Sequence, residues 1–202
     1  MTNREPDNQE PEMPSGQIEP TPQQVESLMG SLYRLTEEQM QGLGERLIRM
    51  SKELIRGQDQ DPEKILTPTY PVPENFDQVV LLRDIPFNSL CEHHLLPVSG
   101  RAHIAYIPRK KLIGLSKLAR ILHCFALRPQ LQERLTVQVA QALWNALEPL
   151  GVGVLIEAQH ACISTRGVVA TGATMVTSKL LGYFRDDART REEFLALTVR
   201  RS

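Results

Sequence analysis

Cysteine and histidine side chains lie close together in the segment CEHHLLP, residues 91–97. Cys91 and His94 can both reach one ion from a turn at the end of a strand, and zinc prefers thiolate and imidazole ligands. The best candidate for a third ligand is Cys162, because it lies in another polar turn, HACIS. No Cys-x-x-Cys or His-x-x-x-His pair accompanies Cys162, so three ligands with an open position are favoured over a closed structural site. The alternative is a pair of half-buried turn residues without a metal.

Two further histidines flank these candidate ligands. His93 stands beside the first pair, and His160 precedes Cys162 by two residues. Imidazole side chains exchange protons near neutral pH, so both are candidates for proton transfer. The alternative is a surface position, or a role in orienting a ligand, which is common for a histidine beside a turn.

Composition limits the partners on which this chemistry can act. The chain has 202 residues, of which 41% are hydrophobic, and a formal net charge of -1. That balance gives no global attraction to nucleic acid or to an anionic membrane, although a local cluster of bases can bind an anionic small molecule. Three cysteines without a paired framework are typical of a reducing compartment, and we find neither a signal core nor an apolar run of membrane-spanning length. We therefore expect a cytoplasmic protein without nucleic-acid or membrane partners.

Hydrophobic periodicity predicts the elements that position these side chains. We expect a disordered, acidic and proline-rich tail over 1–27, an N-terminal helix and connector over 28–66, and the catalytic domain over 67–202. The run LTEEQMQGLGERLIRMSKELIR (35–56) predicts one amphipathic helix with Thr36 as its N-cap. Strands are predicted at 77–85, 100–107, 152–159 and 168–177, and helices at 115–127 with Ser116 as the cap, after Pro129, and at 190–198. The order ββααββ makes the fold class α+β.

Four separated segments carry a family resemblance: FNSLCEHHLLPVSGRAHIAYIP, IGLSKLARILHCFALRPQLQERLT, IEAQHACISTRGV and GATMVT…LGYF. In their order and spacing, over 77–198, the chain resembles GTP cyclohydrolase type I. The resemblance implies the tunnelling fold, ββααββ with an antiparallel sheet and helices on one face, preceded by an N-terminal helix. It also implies a homodecamer whose active sites are shared between neighbouring subunits.

The activity implied by this resemblance is that of a zinc-dependent hydrolase acting on cyclic amidines. Such an enzyme opens the imidazole ring of GTP, releases formate and recloses the skeleton to 7,8-dihydroneopterin triphosphate. This is the first step of tetrahydrofolate and pterin biosynthesis, in one-carbon metabolism. The alternative is a non-catalytic or altered-substrate tunnelling-fold homologue that binds a purine or pterin. A pterin synthase or nitrile reductase of that fold would lack the combined Cys-x-x-His and distant Cys.

The resemblance matches functional positions to residues of this chain. Cys91, His94 and Cys162 match the zinc ligands, and His93, His160 and Ser116 match catalytic positions. Glu133 and its neighbour Gln132 match the guanine pocket, where a carboxylate can accept from N1–H and the exocyclic amine. The positions facing ribose and phosphates are matched by Lys117, Arg120, Arg166 and Arg46, and a helix start at Ser116 would add backbone donors.

Some positions depart from the family pattern. The N-terminal run QMQGLGERLIR lacks the usual Thr-Pro, so Arg46 is matched by position alone, and Gly172 replaces a common serine. Cys124 is expected in the core. His103 and His123 are expected at the solvent or at a subunit interface.

Overall fold

The structure, a computed structural model, describes residues 19–198. The chain divides into two compact units with a boundary between Ser51 and Lys52. The first unit contains α1 (Pro22–Tyr33), α2 (Glu37–Met40) and the start of α3 (Leu43–Ile55). Residues 1–18 of the predicted tail lie outside the described residues. Residues 22–27, which the sequence placed in that tail, are helical in α1. The division into a tail, an N-terminal segment and a catalytic domain stays a prediction.

The helix predicted over 35–56 is two helices. Thr36 caps α2 as predicted, because its side chain accepts from the backbone N–H of Gln39 at 3.3 Å. Gly42 then adopts φ +65°, a left-handed conformation that glycine reaches without a steric penalty. The chain therefore breaks between α2 and α3, where hydrophobic periodicity alone suggested continuity.

The second unit is built on an antiparallel sheet. Its elements are the helices α4 (Pro62–Ile65), α5 (Leu115–Ala126), α6 (Gln132–Leu147), α7 (Ala161–Ser164), α8 (Tyr183–Asp186) and α9 (Ala188–Thr198), and the strands β1 (Thr69–Pro71), β2 (Val80–Cys91), β3 (Pro97–Ile107), β4 (Lys111–Ile113), β5 (Pro129–Gln130), β6 (Gly151–His160) and β7 (Met175–Gly182). The main sheet has the order β5-β2-β3-β6-β7, and β1 pairs with β4 in a separate small sheet. The α+β class and the ββααββ order of the long elements are confirmed. The short strand β5, which pairs parallel to β2, was not predicted.

Two strands differ most from their predicted bounds. β2 was predicted over 77–85 and continues to Cys91, through Pro86 and past a bulge at Asp84. The last strand was predicted over 168–177 and lies over Met175–Gly182. Val168 and Val169 suggested a strand by propensity, but they are 78% and 58% exposed in the loop before β7. Pairing with β6 therefore overrides the local preference of these β-branched residues.

Helices α5 and α6 cover one face of the sheet, as predicted. On that face Ile104 and Tyr106 of β3 are fully buried in the main core. On the other face Ala105 and Ile107 pack in a smaller cluster with Phe184 and Phe194 of α8 and α9. The second half of β3 is therefore buried on both faces, which makes it a rigid support for the ends of its neighbours. No helix in the described range 19–198 has the length and apolar character to cross a membrane.

Candidate functional site

One end of the main sheet gathers the predicted chemistry. Leu90 of β2 pairs with Pro97 of β3, and Val98 pairs with His160 of β6. The chain therefore leaves β2 and β6 at the same end of the sheet. Cys91 is the last residue of β2, and Cys162 lies in α7, directly after β6. Antiparallel register thus brings together two segments that are far apart in sequence.

The three predicted zinc ligands meet at this end. Cys91, His94 and Cys162 offer one ligand atom each, and these atoms all lie within 4.8 Å of one another. Cys91 is buried, Cys162 is half-buried and His94 is exposed, so the cluster has an enclosed side and an open side. Two thiols and an imidazole are ligands that zinc prefers, and three protein ligands are typical of a catalytic zinc site. The residues present therefore fit a zinc ion.

The turn between β2 and β3 is fixed by hydrogen bonds. The backbone N–H of Cys91 donates to the Leu96 carbonyl at 2.8 Å, and the N–H of Leu95 donates to the Cys91 carbonyl at 2.8 Å. Leu95 adopts φ +54°, a left-handed conformation that is rare for a leucine. The Glu92 carboxylate forms an ion pair with Arg134 of α6, and this guanidinium holds the pKa of Glu92 below its usual value. The ion pair ties the turn to α6.

Neighbouring groups shift the pKa of the Cys162 thiol in opposite directions. Burial raises the pKa of Cys162, the adjacent Cys91 thiol raises it further, and the Arg166 guanidinium lowers it. A bound divalent cation would favour the thiolate over the thiol. Arg166 therefore lies close enough to the ligand cluster to influence its charge.

The two predicted catalytic histidines lie beside the cluster. Nδ1 of His93 is 4.0 Å from Sγ of Cys91, and its ring is edge-on to the ring of His94. The ring of His160 is half-buried, and its Nε2 lies 2.8 Å from Oε1 of Gln132. Burial lowers the pKa of His160, and the nearby Glu133 carboxylate opposes that shift. His160 is therefore next to both the proposed metal ligands and the predicted guanine pocket.

Gln132 and Glu133 begin α6, but their side chains have different environments. Glu133 is exposed to solvent, as a carboxylate that binds a ligand must be. Gln132 is 4% exposed, and its amide is bonded to β6, β7 and His160. Thr136 and Thr177 complete this network, and sequence reasoning missed both. Thr177 lies in both the predicted and the observed strand, but its contact with Gln132 depends on the register of β7 against β6, which no local signal reveals.

The predicted phosphate-binding residues stand on other elements. Ser116 and Arg120 are exposed on α5, and Lys117 donates to the Thr67 carbonyl. Helix α5 begins at Leu115 with Gly114 at the N-cap, so the prediction that Ser116 caps this helix is wrong. Arg46 lies in the first unit, where its guanidinium donates to the Gln41 carbonyl at 3.0 Å.

The other cysteine and histidines have clear structural positions. Cys124 is fully buried, so the prediction that it belongs to the core is confirmed. His103 was expected at the solvent or at an interface, but it is 2% exposed, because β3 is covered on both faces. Its Nδ1 accepts from the backbone N–H of Asp84 at 3.3 Å. Nε2 of His123 lies 3.0 Å from the Pro86 carbonyl oxygen.

A family model and curated relatives agree on one family. The family model described as GTP cyclohydrolase I matches residues 22–199. The chain is 46% identical over 188 residues to "GTP cyclohydrolase 1" of Synechococcus sp. (strain JA-3-3Ab), which covers 87% of this chain and 82% of that protein. It is 60% identical over 122 residues to "GTP cyclohydrolase 1" of Aquifex aeolicus (strain VF5), which covers 60% of this chain and 66% of that protein. Among solved structures, the apo form of the archaeosine synthase QueF-Like matches with a TM-score of 0.43 and 19% identity, over 52% of this chain and 93% of that one.

Proposed function

The chain belongs to the GTP cyclohydrolase I family, and from that premise we propose that it hydrolytically opens the imidazole ring of GTP, releases formate and recloses the product to 7,8-dihydroneopterin triphosphate. Family membership also makes the chain a hydrolase, as the sequence predicted. The observation that carries the proposal is the meeting of Cys91, His94 and Cys162 within 4.8 Å. The reaction would be the first step of tetrahydrofolate and pterin biosynthesis.

Zn²⁺ is the ion that we propose for this cluster. Cys91 would hold it from the enclosed side, since this residue ends a strand of the main sheet and is buried. His94 and Cys162 would complete the site from two separate turns, and the exposure of His94 leaves an approach for the substrate. When bound, zinc supplies the acidity that makes water a nucleophile near neutral pH.

The surrounding side chains have roles that follow from their chemistry. Glu133 would accept hydrogen bonds from N1–H and the exocyclic amine of guanine, a pair of donors that adenine does not present. His160, next to the ligand cluster, would move a proton to the purine ring nitrogen, and His93 would line the same pocket. Arg166 lies near Cys162 and would contact the phosphate side of the substrate. Ser116, Lys117 and Arg120 of α5 would supply further ribose and phosphate contacts.

We further propose that the protein is a homo-oligomer, a decamer with active sites shared between neighbouring subunits. Within the described chain β7 ends the strand order, so its outer edge can pair with a strand of another copy. Within residues 19–198 the three cysteines form no disulfide, which suits the proposed cytoplasmic location, where thiols stay reduced.

Incubation of the zinc-loaded protein with GTP tests the proposed function. We expect formate together with the fluorescence of the oxidised neopterin product. Formate without pterin would mean that the ring opens but does not reclose, and Ser116 would then be the first position to replace. If zinc-loaded, folded protein gave neither product, the proposal would be overturned in favour of a non-catalytic homologue.

A further inference from the structure

We propose that Gln132 is a positioning residue, which holds the His160 ring with a hydrogen on Nε2 and leaves Nδ1 to exchange a proton with the substrate. This assignment replaces the direct substrate contact that the sequence suggested for Gln132. The hydrogen-bond arrangement stands by itself, whereas its consequence for catalysis rests on the proposed function.

The orientation of the Gln132 amide follows from its neighbours. Its Nε2 lies 3.1 Å from the Ile156 carbonyl oxygen and 3.0 Å from the Met175 carbonyl oxygen. Carbonyl oxygens only accept hydrogen bonds, so the amide atom facing them must be the NH₂ group. The reversed amide would place three oxygens against one another in a buried region. Because Ile156 lies in β6 and Met175 begins β7, the sheet itself fixes this orientation.

The orientation of the amide decides which His160 nitrogen carries a hydrogen. With its NH₂ group facing the two strands, Gln132 presents Oε1 to Nε2 of His160 at 2.8 Å. An amide oxygen accepts but never donates, so Nε2 of His160 must be the donor. In the neutral ring Nδ1 then carries the lone pair. Gln132 thus selects one tautomer of His160 by geometry alone.

Two threonines determine which group donates in each hydrogen bond of this network. The Thr136 hydroxyl donates to the main-chain carbonyl of Gln132 at 2.7 Å, so its oxygen must accept at its other contact, the Thr177 hydroxyl at 2.7 Å. Thr177 therefore donates to Thr136. Its oxygen lies 3.2 Å from Nε2 of Gln132, where it shares the two amide hydrogens with the two carbonyl oxygens. Every donor in this closed set faces an acceptor. Reversing the Gln132 amide would break several of these bonds at once, which makes the arrangement resistant to change.

The Gln132 amide is buried and already hydrogen-bonded, so it is poorly placed to contact the substrate. Gln132 is 4% exposed, and both ends of its amide are engaged within the chain. Glu133, the next residue, is exposed. The two residues therefore have different roles: Glu133 would bind guanine, while Gln132 orients the His160 ring.

Nitrogen NMR of the zinc-loaded protein tests the tautomer directly. The five histidines would carry ¹⁵N at both ring positions. Spectra would be recorded at about pH 8, where an ordinary histidine is neutral. The signals that disappear in His160→Asn would identify those of His160. We expect a protonated Nε2 and an imine-type Nδ1. In Gln132→Leu the preference should weaken and the His160 shifts should move. A wild-type His160 with its hydrogen on Nδ1 would overturn the proposal without any need for the variant to fold.

Steady-state kinetics separate positioning from substrate binding. Gln132→Leu should lower kcat for GTP by roughly 10- to 100-fold, with KM changed less than about 3-fold. This is less than the full contribution of positioned proton transfer, about 10²- to 10⁴-fold, because the His160 ring itself remains. The matched control is Gln138→Leu, which removes a buried amide further along α6 that is bonded to Gln130. It should leave kcat within about 2-fold. Thr177→Val keeps both carbonyl partners of Gln132, and an intermediate fall in kcat is expected.

The outcomes distinguish this inference from the proposed function. A raised KM with unchanged kcat in Gln132→Leu would make Gln132 a substrate-binding residue and overturn the inference. Absence of GTP turnover in the wild type would overturn the proposed function alone, because the NMR measurement still decides the His160 tautomer.

Discussion

Cys162 is the single residue whose replacement best separates metal binding from folding. Cys162→Ser keeps the approximate size of the side chain but exchanges the thiol of a proposed zinc ligand for a hydroxyl. Cys162 is only half-buried, so the fold should tolerate the change. We expect about one zinc per chain in the wild type and far less in the variant, together with loss of turnover. Elemental analysis of the purified proteins measures this.

The matched control is Cys124→Ser, the same exchange at a thiol buried within α5. It should lower stability but keep the zinc. Full zinc occupancy in Cys162→Ser would remove this residue from the ligand set.

Glu133 is the residue on which base recognition should depend. Glu133→Gln removes the charge and one of two acceptors, and hydrogen bonds to a charged group are worth about 1.5–3 kcal/mol each. We expect KM for GTP to rise roughly 10- to 100-fold with zinc content unchanged, and the preference for GTP over inosine triphosphate to shrink. Glu148→Gln, just beyond the other end of α6 and paired with Lys111, is the control that should leave KM unaltered. An unchanged KM in Glu133→Gln would show that guanine is recognised elsewhere.

At the scale of elements, β3 carries a titratable group inside the sheet. Burial lowers the pKa of His103 from its ordinary 6.5, although Asp84 and Glu157 raise it, and Arg83 lowers it as well. The folded state therefore binds fewer protons at this site than the unfolded state does. The contribution of neutral His103 to stability is complete above pH 6.5 and is lost progressively as the pH falls towards the lower folded value.

Replacement of His103 should therefore flatten the acid side of the stability profile. In His103→Gln we expect the free energy of unfolding to fall less steeply below pH 6.5 than in the wild type. Urea denaturation at a series of pH values measures both slopes, and any loss of metal at low pH is common to the two proteins. Identical slopes in His103→Gln and the wild type would contradict the role of burial.

The element scale also shows what the sequence could predict. The bounds predicted for β3 and β6 lie within a few residues of the observed ones. Apolar side chains recur regularly along each of these strands, because one side of the strand faces the core. The pairing of Cys91 and His94 as candidate metal ligands was predictable for a similar reason, since their spacing is local. Cys162 needed only the expectation that two strand ends meet.

The Gln132 network could not be predicted in the same way. It depends on Ile156, Met175 and Thr177 facing one side chain, which requires the register between β6 and β7. The sequence placed that last strand too early, because Val168 favours a strand locally. Such contacts are decided by long-range pairing, which local propensity does not contain.

At the scale of the whole molecule, the proposed site requires cations from more than one element. The proposed zinc ligands and Arg166 gather at one end of the sheet, whereas Lys117 and Arg120 belong to α5. A triphosphate needs several positive partners. If active sites are shared, α5 of one subunit would complete the site at the strand ends of its neighbour.

Mixing of two inactive variants tests this sharing. Cys162→Ser would lack the metal and Arg120→Ala a phosphate contact, so each should be inactive alone. In an assembly formed from equal amounts of both variants, a shared site is intact only when the Arg120→Ala chain supplies the ligand cluster and a neighbouring Cys162→Ser chain supplies Arg120. Each condition holds for about half of the sites, so about a quarter of the wild-type activity should return. Cys162→Ser mixed with Cys91→Ser is the matched control, since both changes affect one ligand cluster and no activity should return. Native mass spectrometry would establish that the assemblies are mixed and give their size. Mixed assemblies of the first pair without activity would mean that each chain supplies its own Arg120, because only sharing between subunits lets one defect compensate for the other.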